Sequence, residues 1–356
     1  MFERRWLTNN GPLVQEFEAR VRTLVGTRHC VAFCNATVGL EVLGRAARLT
    51  GEVIVPAFTF VASAHAFEWL GLTPVFCDVL EATHTIDPDQ VEALISPRTS
   101  AIVATHVWGQ PCAIEPLQAI AKKHNLRLFF DAAHAFACSS GGKNVGGFGD
   151  AEVFSFHATK FVNCFEGGAV VTNDDELARD LRLMRNFGFA GTDNVVSRGT
   201  NAKMPEVCAA MGLTCLDSLN DIIECNRRNY RAYHALLGAL PGVSVFQYDV
   251  REQNNYQYVI ARVGPDAPLT RDELARVLEA ENVLVRRYFF PGVHRIAPYS
   301  GRDTVPHLPV TERLCAEVMA LPNGTAVSEA DVQRVGEIVR TAFAHAPAVR
   351  QKLANG

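Results

Sequence analysis

Short apolar runs alternate with amphipathic stretches from about residue 13 to residue 280. Runs of four or five apolar residues are typical of buried strands, and apolar residues spaced three or four apart are typical of helices. The alternation predicts a large, mixed, mostly parallel sheet with helices on both faces. The seven predicted strands are 30–33, 53–56, 73–77, 101–105, 127–130, 152–155 and 169–172. The predicted helices of this part are 13–24, 38–49, 60–70, 88–94, 114–124 and 175–186.

The pattern changes near residue 217, where a long helix leads into a second set of alternating elements. We therefore predict a large domain at 1–216 and a smaller C-terminal α/β domain at 217–356. The short tail after about residue 346 is the only end that looks flexible. The predicted elements of this second part are a helix at 215–237, strands at 243–248 and 256–263, a helix at 271–280, a strand at 282–290 and a closing helix at 329–344.

Composition indicates an ordinary globular protein of 356 residues, with 48% hydrophobic and 20% charged residues. The 34 Lys and Arg against 38 Asp and Glu give a net charge of -4, and no basic block predicts nucleic-acid binding. No apolar run approaches the roughly 20 residues of a membrane helix. The opening residues lack an apolar signal core, so we expect a cytoplasmic protein. The 10 cysteines and 11 histidines show no metal-ligand spacing, and no metal is expected.

Lys160 is the only Lys, Arg, Asp or Glu in the apolar and aromatic run 153–162. Desolvation disfavours the ammonium form and lowers the pKa of a lysine, and a neutral amine attacks carbonyls to form Schiff bases. The alternative is a lysine at a strand end whose ammonium group reaches water. Lys160 is therefore a candidate nucleophile that needs support from its surroundings.

Three other positions suggest which carbonyl compound Lys160 meets. Asp131 follows a predicted strand, where a carboxylate could hold a pyridinium nitrogen protonated or could cap a helix. The segment 35–39 opens a helix whose amides favour a phosphate, although a plain helix cap is the competing interpretation. Ser155 could add a hydroxyl to that phosphate. Together these are the contacts that pyridoxal phosphate requires.

Two other segments each allow more than one interpretation. Phe60 comes off a strand end and could stack on the pyridine ring, or it could be a core residue. The glycines in 166–168 allow a tight turn or a close backbone approach, and we assign them no chemistry.

With these residues in place, the chain resembles the DegT/DnrJ/EryC1/StrS sugar aminotransferases, which use pyridoxal phosphate in an aspartate-aminotransferase-type fold (fold type I). The resemblance extends from Trp6 to about His294. The matching motifs, in chain order, are 35–37, 56–60, 74–78, 106–111, 131–135, 155–160 and 166–168.

The resemblance implies a role for each candidate around the cofactor ring. Lys160 forms the Schiff base and moves a proton between substrate and cofactor. Asp131 pairs with the pyridine nitrogen, Phe60 stacks on the ring, and His134 borders the phenolic oxygen. A related branch has histidine in place of the lysine and removes a hydroxyl, so Lys160 favours transamination.

The resemblance also implies how the cofactor phosphate is held. Thr37, the backbone of Val38 and Ser155 contact it, together with Asn201 of the partner subunit. A homodimer with active sites shared across the interface follows from this arrangement.

The segments 6–12, 131–136 and 186–190 resemble most the branch that aminates dTDP-4-keto-6-deoxyglucose at carbon 4, with L-glutamate as donor. The product would be dTDP-4-amino-4,6-dideoxyglucose. The alternatives are a C-3 or UDP-sugar aminotransferase of the same family and a non-enzymatic sugar-nucleotide sensor or scaffold with the same fold. The candidate substrate contacts are Trp6, Lys203, Tyr288 and His294. Lys203 stands where many relatives have arginine, and Tyr288 and His294 could instead be packed strand residues.

Overall fold

The computed structural model describes residues 5–8, 10–301 and 305–355. Residues 1–4, on which the absence of a signal core depends, and Asn9 of the segment 6–12 lie outside the described residues. The chain divides into two compact units. The first extends to Leu219 and includes Val250–Asn254, and the second contains Asn220–Asp249 and the chain from Asn255 onward. The predicted domains 1–216 and 217–356 remain a proposal.

The first unit contains alternating helices and strands. Its helices are α1 (Pro12–Val25), α2 (Ala36–Ala46), α3 (Ala62–Glu68), α4 (Pro88–Ala93), α5 (Ile114–His124), α6 (Asp175–Arg185) and α7 (Glu206–Asp217). Its strands are β1 (His29–Phe33), β2 (Glu52–Pro56), β3 (Thr73–Cys77), β4 (Thr99–Thr105), β5 (Arg127–Asp131), β6 (Ser139–Ser140), β7 (Lys143–Asn144), β8 (Ala151–Ser155) and β9 (Gly168–Thr172).

Within the described residues, seven of these strands form one sheet in the order β1-β9-β8-β5-β4-β2-β3. Strand β9 runs antiparallel to both of its neighbours, whereas every pair from β8 across to β3 is parallel. The predicted mostly parallel seven-stranded sheet is therefore confirmed. Because parallel strands end at the same edge, the segments that follow β1, β2, β4, β5 and β8 meet there.

The two faces of the sheet are covered by different helices because side chains alternate along each strand. Phe154 and Ala32 belong to the core that includes α1 and α7. Val153 and Phe33 point the other way and lie against Gly39 of α2. The face that carries Val153 is also the face of Asp131, because these residues are register partners in β5 and β8.

The second unit is a smaller α/β unit, as predicted. Its strands β10 (Val243–Val245), β11 (Val259–Val263) and β12 (Val318–Leu321) form an antiparallel sheet in that order. Its helices are α8 (Leu219–Leu237, which begins one residue earlier), α9 (Arg271–Ala280), α10 (Ala297–Ser300), α11 (Pro309–Glu317), α12 (Glu329–Ala344) and α13 (Ala346–Asn355). Apolar residues of α8, α9 and α12 pack on this sheet.

Three predictions for this part of the chain were wrong. The helix predicted at 215–237 is interrupted at Ser218, whose φ of −102° and ψ of 12° are not helical. Serine competes with helical hydrogen bonding through its own side chain, which favours such a break. The segment 282–290 is not a strand: it keeps one isolated bridge, Arg286 to Ala320, because β12 takes the position beside β11.

The third wrong prediction is the flexible tail, which instead forms helix α13 and is anchored by its apolar residues. Ala346 is buried in the core of the second unit and Val349 packs against it. No helix in the described part of the chain is both long and apolar enough to cross a membrane. The described residues also contain no group of three or more His, Cys, Asp or Glu placed to hold a metal ion.

Candidate active site

Asp131 ends β5 at the edge of the sheet where the parallel strands finish, and its side chain is buried. One carboxylate oxygen accepts a hydrogen bond from the Ser63 hydroxyl at 2.6 Å, and the other accepts one from the Ala133 amide at 3.1 Å. No α-helix begins directly after Asp131, since the next element is strand β6, so Asp131 is not a helix cap. Burial raises the pKa of Asp131, whereas these two hydrogen bonds and the Lys160 charge work against that rise.

Lys160 lies in the turn after β8, where its amide donates to the His157 carbonyl at 2.8 Å. Desolvation lowers the pKa of its amine from 10.5 to about 8, and the charge of Asp131 limits the fall. About a tenth of this amine is therefore neutral at pH 7, far more than for a lysine with the ordinary pKa of 10.5. Lys160 is partly buried, and its lowered pKa favours the nucleophile over a lysine whose ammonium group is fully hydrated.

His134 is held between ring stacking and a main-chain hydrogen bond. The indole of Trp108 lies nearly parallel to the imidazole at 5.8 Å between centroids, and the Trp108 amide donates to Nδ1 of His134 at 3.1 Å. Trp108 has a φ of 63°, a left-handed conformation that is unusual for a bulky residue. Burial, and secondarily the Lys160 charge, lowers the pKa of His134 well below its usual value. The neutral ring therefore carries its hydrogen on Nε2.

The N-terminus of α2 lies at the same edge of the sheet. The Asn35 side chain caps the helix by accepting from the Val38 amide at 2.8 Å, as the plain-cap interpretation expected. The Val38 amide is thus already engaged within the chain. The earlier amides, of Ala36 and Thr37, have no acceptor within the helix and are the ones suited to an anion.

Gly168 explains how Ser155 comes close to this helix end. Ser155 is the register partner of Gly168 in the pair β8–β9. A Cβ atom on Gly168 would lie 2.5 Å from the amide nitrogen of Ala36, so only glycine allows α2 to approach the sheet this closely. Ser155 and the first turn of α2 therefore lie close together at this edge of the sheet.

Phe60 is an exposed aromatic residue rather than a core residue. It is 56% exposed, whereas its neighbour Thr59 is buried and contacts Ser63, the residue that binds Asp131. An exposed ring beside a buried polar site provides apolar surface for a bound aromatic ligand. Stacking on a pyridine ring remains a prediction.

Asn201 and Lys203 lie beside the end of the edge strand β1 and interact with each other. Lys203 forms an isolated bridge with Phe33, and its amine donates to the Asn201 side-chain oxygen at 2.6 Å. The same amine lies 4.4 Å from the centre of the Phe187 ring. Burial lowers the pKa of Lys203, and the nearby Arg185 charge adds to this. The side-chain NH₂ of Asn201 remains the group suited to a phosphate.

Trp6 is half exposed and belongs to a segment fixed against α7. A Cβ atom on Gly11 would lie 2.6 Å from the Trp6 indole. The amides of Leu13 and Val14 donate to the buried carboxylate of Glu206, each at 3.0 Å. Glu206 thus caps α1, which has no side-chain cap of its own.

Tyr288 and His294 belong to the second unit. Tyr288 packs edge-on against Tyr258 with 6.2 Å between ring centroids. His294 is fully buried, with Nε2 3.2 Å from a carboxylate oxygen of Glu312. Their predicted contacts with substrate, like those of Trp6 and Lys203, remain predictions.

Sequence reasoning missed Ser63 and Thr105, and it missed Thr59 although it named the adjacent Phe60. Thr59 and Ser63 are polar residues four apart in a stretch, 53–67, that is otherwise mainly apolar. That spacing was the available signal, because residues four apart at a helix start lie side by side. Nothing local identifies Thr105, which comes beside Asp131 only through strand register.

Comparison with known proteins points in one direction. The sequence profile of the DegT/DnrJ/EryC1/StrS aminotransferase family matches residues 1–340. The dTDP-4-amino-4,6-dideoxy-D-glucose transaminase of Escherichia coli is 33% identical over 344 residues, covering 95% of this chain and 92% of the relative. The GDP-perosamine synthase of Caulobacter vibrioides is 33% identical over 338 residues, covering 93% and 90%. Among solved structures, that of DesI in the presence of its TDP-sugar product has a TM-score of 0.93 at 52% identity, covering 99% of this chain and 90% of that one.

Proposed function

This chain belongs to the DegT/DnrJ/EryC1/StrS aminotransferase family, and we propose that it transfers an amino group to a nucleotide-linked keto-deoxysugar. The predicted enzyme class, an aminotransferase, and the predicted fold type I are confirmed, since the similar solved structures are sugar aminotransferases of that fold. The observation that carries the proposal is Lys160, an amine of lowered pKa electrostatically coupled to the buried Asp131.

The described residues fit pyridoxal phosphate, the cofactor on which this family depends. Asp131 would face the ring nitrogen, Phe60 the ring, and the first amides of α2 with Ser155 the phosphate. Bound pyridoxal phosphate supplies an electron sink for negative charge that develops beside the transferred nitrogen. The buried carboxylate, the Ser155 hydroxyl with the first amides of α2, and the amine of Lys160 together match its three chemical groups.

Each of three side chains has its own role in the proposed reaction. Lys160 takes and returns a proton at the substrate carbon, because an amine with a pKa of about 8 changes protonation state easily near neutral pH. His134 donates from Nε2 to an anionic oxygen, since its Nδ1 already accepts from the Trp108 amide. Asp131 supplies the negative charge that favours a protonated ring nitrogen.

The lowered pKa of Lys160 predicts how apoprotein captures its cofactor. We expect covalent capture of pyridoxal phosphate to accelerate as the pH rises through about 8, because only the neutral amine attacks. An ordinary lysine would show this rise near 10.5. Borohydride reduction at a series of pH values, followed by peptide mapping, measures the labelling of Lys160. Lys122, exposed on α5, serves as the internal reference, and a shared midpoint for both lysines would contradict the assignment.

For the substrate, we propose dTDP-4-keto-6-deoxy-D-glucose, converted to dTDP-4-amino-4,6-dideoxy-D-glucose with L-glutamate as donor. The named activity of the Escherichia coli relative and the TDP-sugar product of DesI support this choice. The similarity to a GDP-perosamine synthase makes a GDP-linked sugar a comparison for the nucleotide. A C-3 or UDP-sugar aminotransferase is the alternative within the family. A non-enzymatic sensor has no need of a lysine with the properties of Lys160.

The substrate proposal is tested by direct assay. We expect purified protein with L-glutamate and pyridoxal phosphate to aminate the dTDP-4-keto-6-deoxysugar, with the new amine located by mass spectrometry and NMR. The 3-keto isomer and the UDP and GDP analogues are the matched comparisons. Amination of the 3-keto sugar alone would remove the C-4 proposal, and binding of every sugar without amination would favour the sensor.

We also propose a homodimer in which Asn201 of the partner subunit reaches the cofactor phosphate. The segment that leads to Asn201 exposes several large apolar side chains, which water does not favour and a second copy would cover. These exposed residues are Phe187, Phe189, Val195 and Val196.

A further inference from the structure

We propose that the buried hydroxyls of Thr105, Thr59 and Ser63 form a one-way chain of hydrogen bonds that keeps Asp131 ionised. The proposal rests on the proposed function, in which Asp131 serves the pyridine nitrogen. The three residues are positioning residues, because they act on the cofactor only through Asp131.

The hydrogen-bonded chain of hydroxyls is continuous and buried. The Thr105 and Thr59 hydroxyl oxygens are 3.0 Å apart, those of Thr59 and Ser63 are 2.8 Å apart, and Ser63 lies 2.6 Å from Asp131 Oδ2. All four side chains are buried, and Ser63 has no exposed surface. Buried hydroxyls hold a fixed hydrogen-bond pattern because water offers no competing partner.

The direction of the chain follows from the number of hydrogens. An ionised carboxylate only accepts hydrogen bonds, so Ser63 donates its single hydroxyl hydrogen to Asp131. Ser63 must then accept from Thr59, and Thr59, having spent its own hydrogen, must accept from Thr105. Every O–H dipole therefore points toward the carboxylate. If Asp131 were protonated, this constraint on the direction would disappear.

Three separate elements bring these hydroxyls together. Thr105 ends β4 and is the register partner of Asp131, so their side chains lie side by side on one face of the sheet. Thr59 follows β2, the next strand across, and Ser63 lies in the first turn of α3. The chain thus connects the ends of three adjacent parallel strands.

Other charged and titratable groups also act on Asp131. The Lys160 amine and the His106 ring favour its ionised form, whereas the Cys112 thiol interacts with the same charge. His106 is itself fixed: Nδ1 accepts from the Cys112 amide at 3.0 Å and Nε2 lies 3.4 Å from Glu152. Against burial, the Ser63 bond is the largest of the effects that lower the pKa of Asp131. Ser63, the last of the three hydroxyls, therefore supplies the principal opposition to desolvation.

The test removes single hydroxyls while keeping shape. We expect Ser63→Ala to weaken pyridoxal phosphate binding on the order of 10-fold, the usual effect of a hydrogen bond to a charged group. Thr59→Val, nearly isosteric, should weaken it less, and Thr59→Ser should restore wild-type binding. Equilibrium dialysis measures the affinity, and a pH titration of the visible absorption of bound cofactor should shift in the same order.

Thr172→Val is the matched control. Thr172 is a buried threonine of the same sheet whose hydroxyl donates to the Asp150 carbonyl at 2.6 Å, away from Asp131. The Thr172→Val variant should lose stability without changing cofactor affinity or the pH titration of the bound cofactor's absorption. If Thr59→Val and Thr172→Val behave alike in both measurements, the chain of hydroxyls has only a structural role and the proposal is overturned.

A second measurement needs no cofactor and separates this proposal from the proposed function. Burial raises the folded-state pKa of Asp131, so ionising it costs stability as the pH rises above the unfolded value of 3.8. Removing a hydroxyl raises that pKa further. The stability deficit of Ser63→Ala and Thr59→Val should therefore grow between acid and neutral pH in urea unfolding, and that of Thr172→Val should stay constant. Wild-type protein that binds no pyridoxal phosphate would contradict the proposed function. A stability deficit of Ser63→Ala and Thr59→Val that does not change with pH would contradict the proposed chain of hydroxyls.

Discussion

Replacing Lys160 with alanine lowers the rate of amino transfer by about 10²–10⁴-fold, the range expected when a general acid–base group is removed. The loss should fall on kcat, because the variant lacks the amine that carries the proton at the substrate carbon. Steady-state assays with L-glutamate and the keto-sugar measure the effect. The covalent capture of pyridoxal phosphate should disappear in the same variant.

The fold should survive this change. Lys160 lies in a turn, and the hydrogen bond from its amide to the His157 carbonyl does not involve the side chain. Thermal unfolding should therefore stay close to that of the wild type. Lys122→Ala on the exposed face of α5 is the control and should retain full activity.

Added small primary amines distinguish a chemical role from a structural one. If Lys160 carries the proton, a free amine that enters the space left by the side chain should restore part of the activity of Lys160→Ala. The restored rate should rise with pH as the added amine loses its proton. A variant that keeps near wild-type activity without any added amine would refute the role given to Lys160.

The sequence was enough to predict the sheet because its strands are buried on both faces. Each is a short apolar run, and all seven strands occur where these runs lie. In the second unit the same argument failed at 282–290, since an apolar pattern does not say which of two segments will pair with β11. There β12 pairs with β11, and 282–290 keeps only the bridge at Arg286.

The candidate site was predictable only where its chemistry is local. Lys160 and Asp131 stand out because each is a charged residue next to an apolar run. The contacts that tune them are not local: Ser63 and Asp131 are 68 positions apart, and Trp108 and His134 are 26 apart. Such contacts depend on strand order and register, which a single sequence does not contain.

Asp131→Asn is the change that tests the electrostatic design, because asparagine keeps the shape of the side chain and removes its charge. Asparagine still offers an oxygen to Ser63 but no acceptor to the Ala133 amide, so the side chain keeps its size and loses one hydrogen bond. We expect amino transfer to fall on the order of 10²–10³-fold, as when one preorganised electrostatic contact is lost from an active site. Kinetic assays beside those of Asp150→Asn provide the comparison. Asp150 holds Arg127 and the Leu128 amide, at the start of β5 rather than at its end.

The same variant makes a second, independent prediction about Lys160. The charge of Asp131 raises the pKa of that amine, so its removal should lower the pKa further below about 8. The pH at which apoprotein begins to capture pyridoxal phosphate should therefore move downward in Asp131→Asn and stay unchanged in Asp150→Asn. This shift requires that the two charges interact across the site. An unchanged midpoint together with full activity would show that Asp131 and Lys160 do not act as a pair.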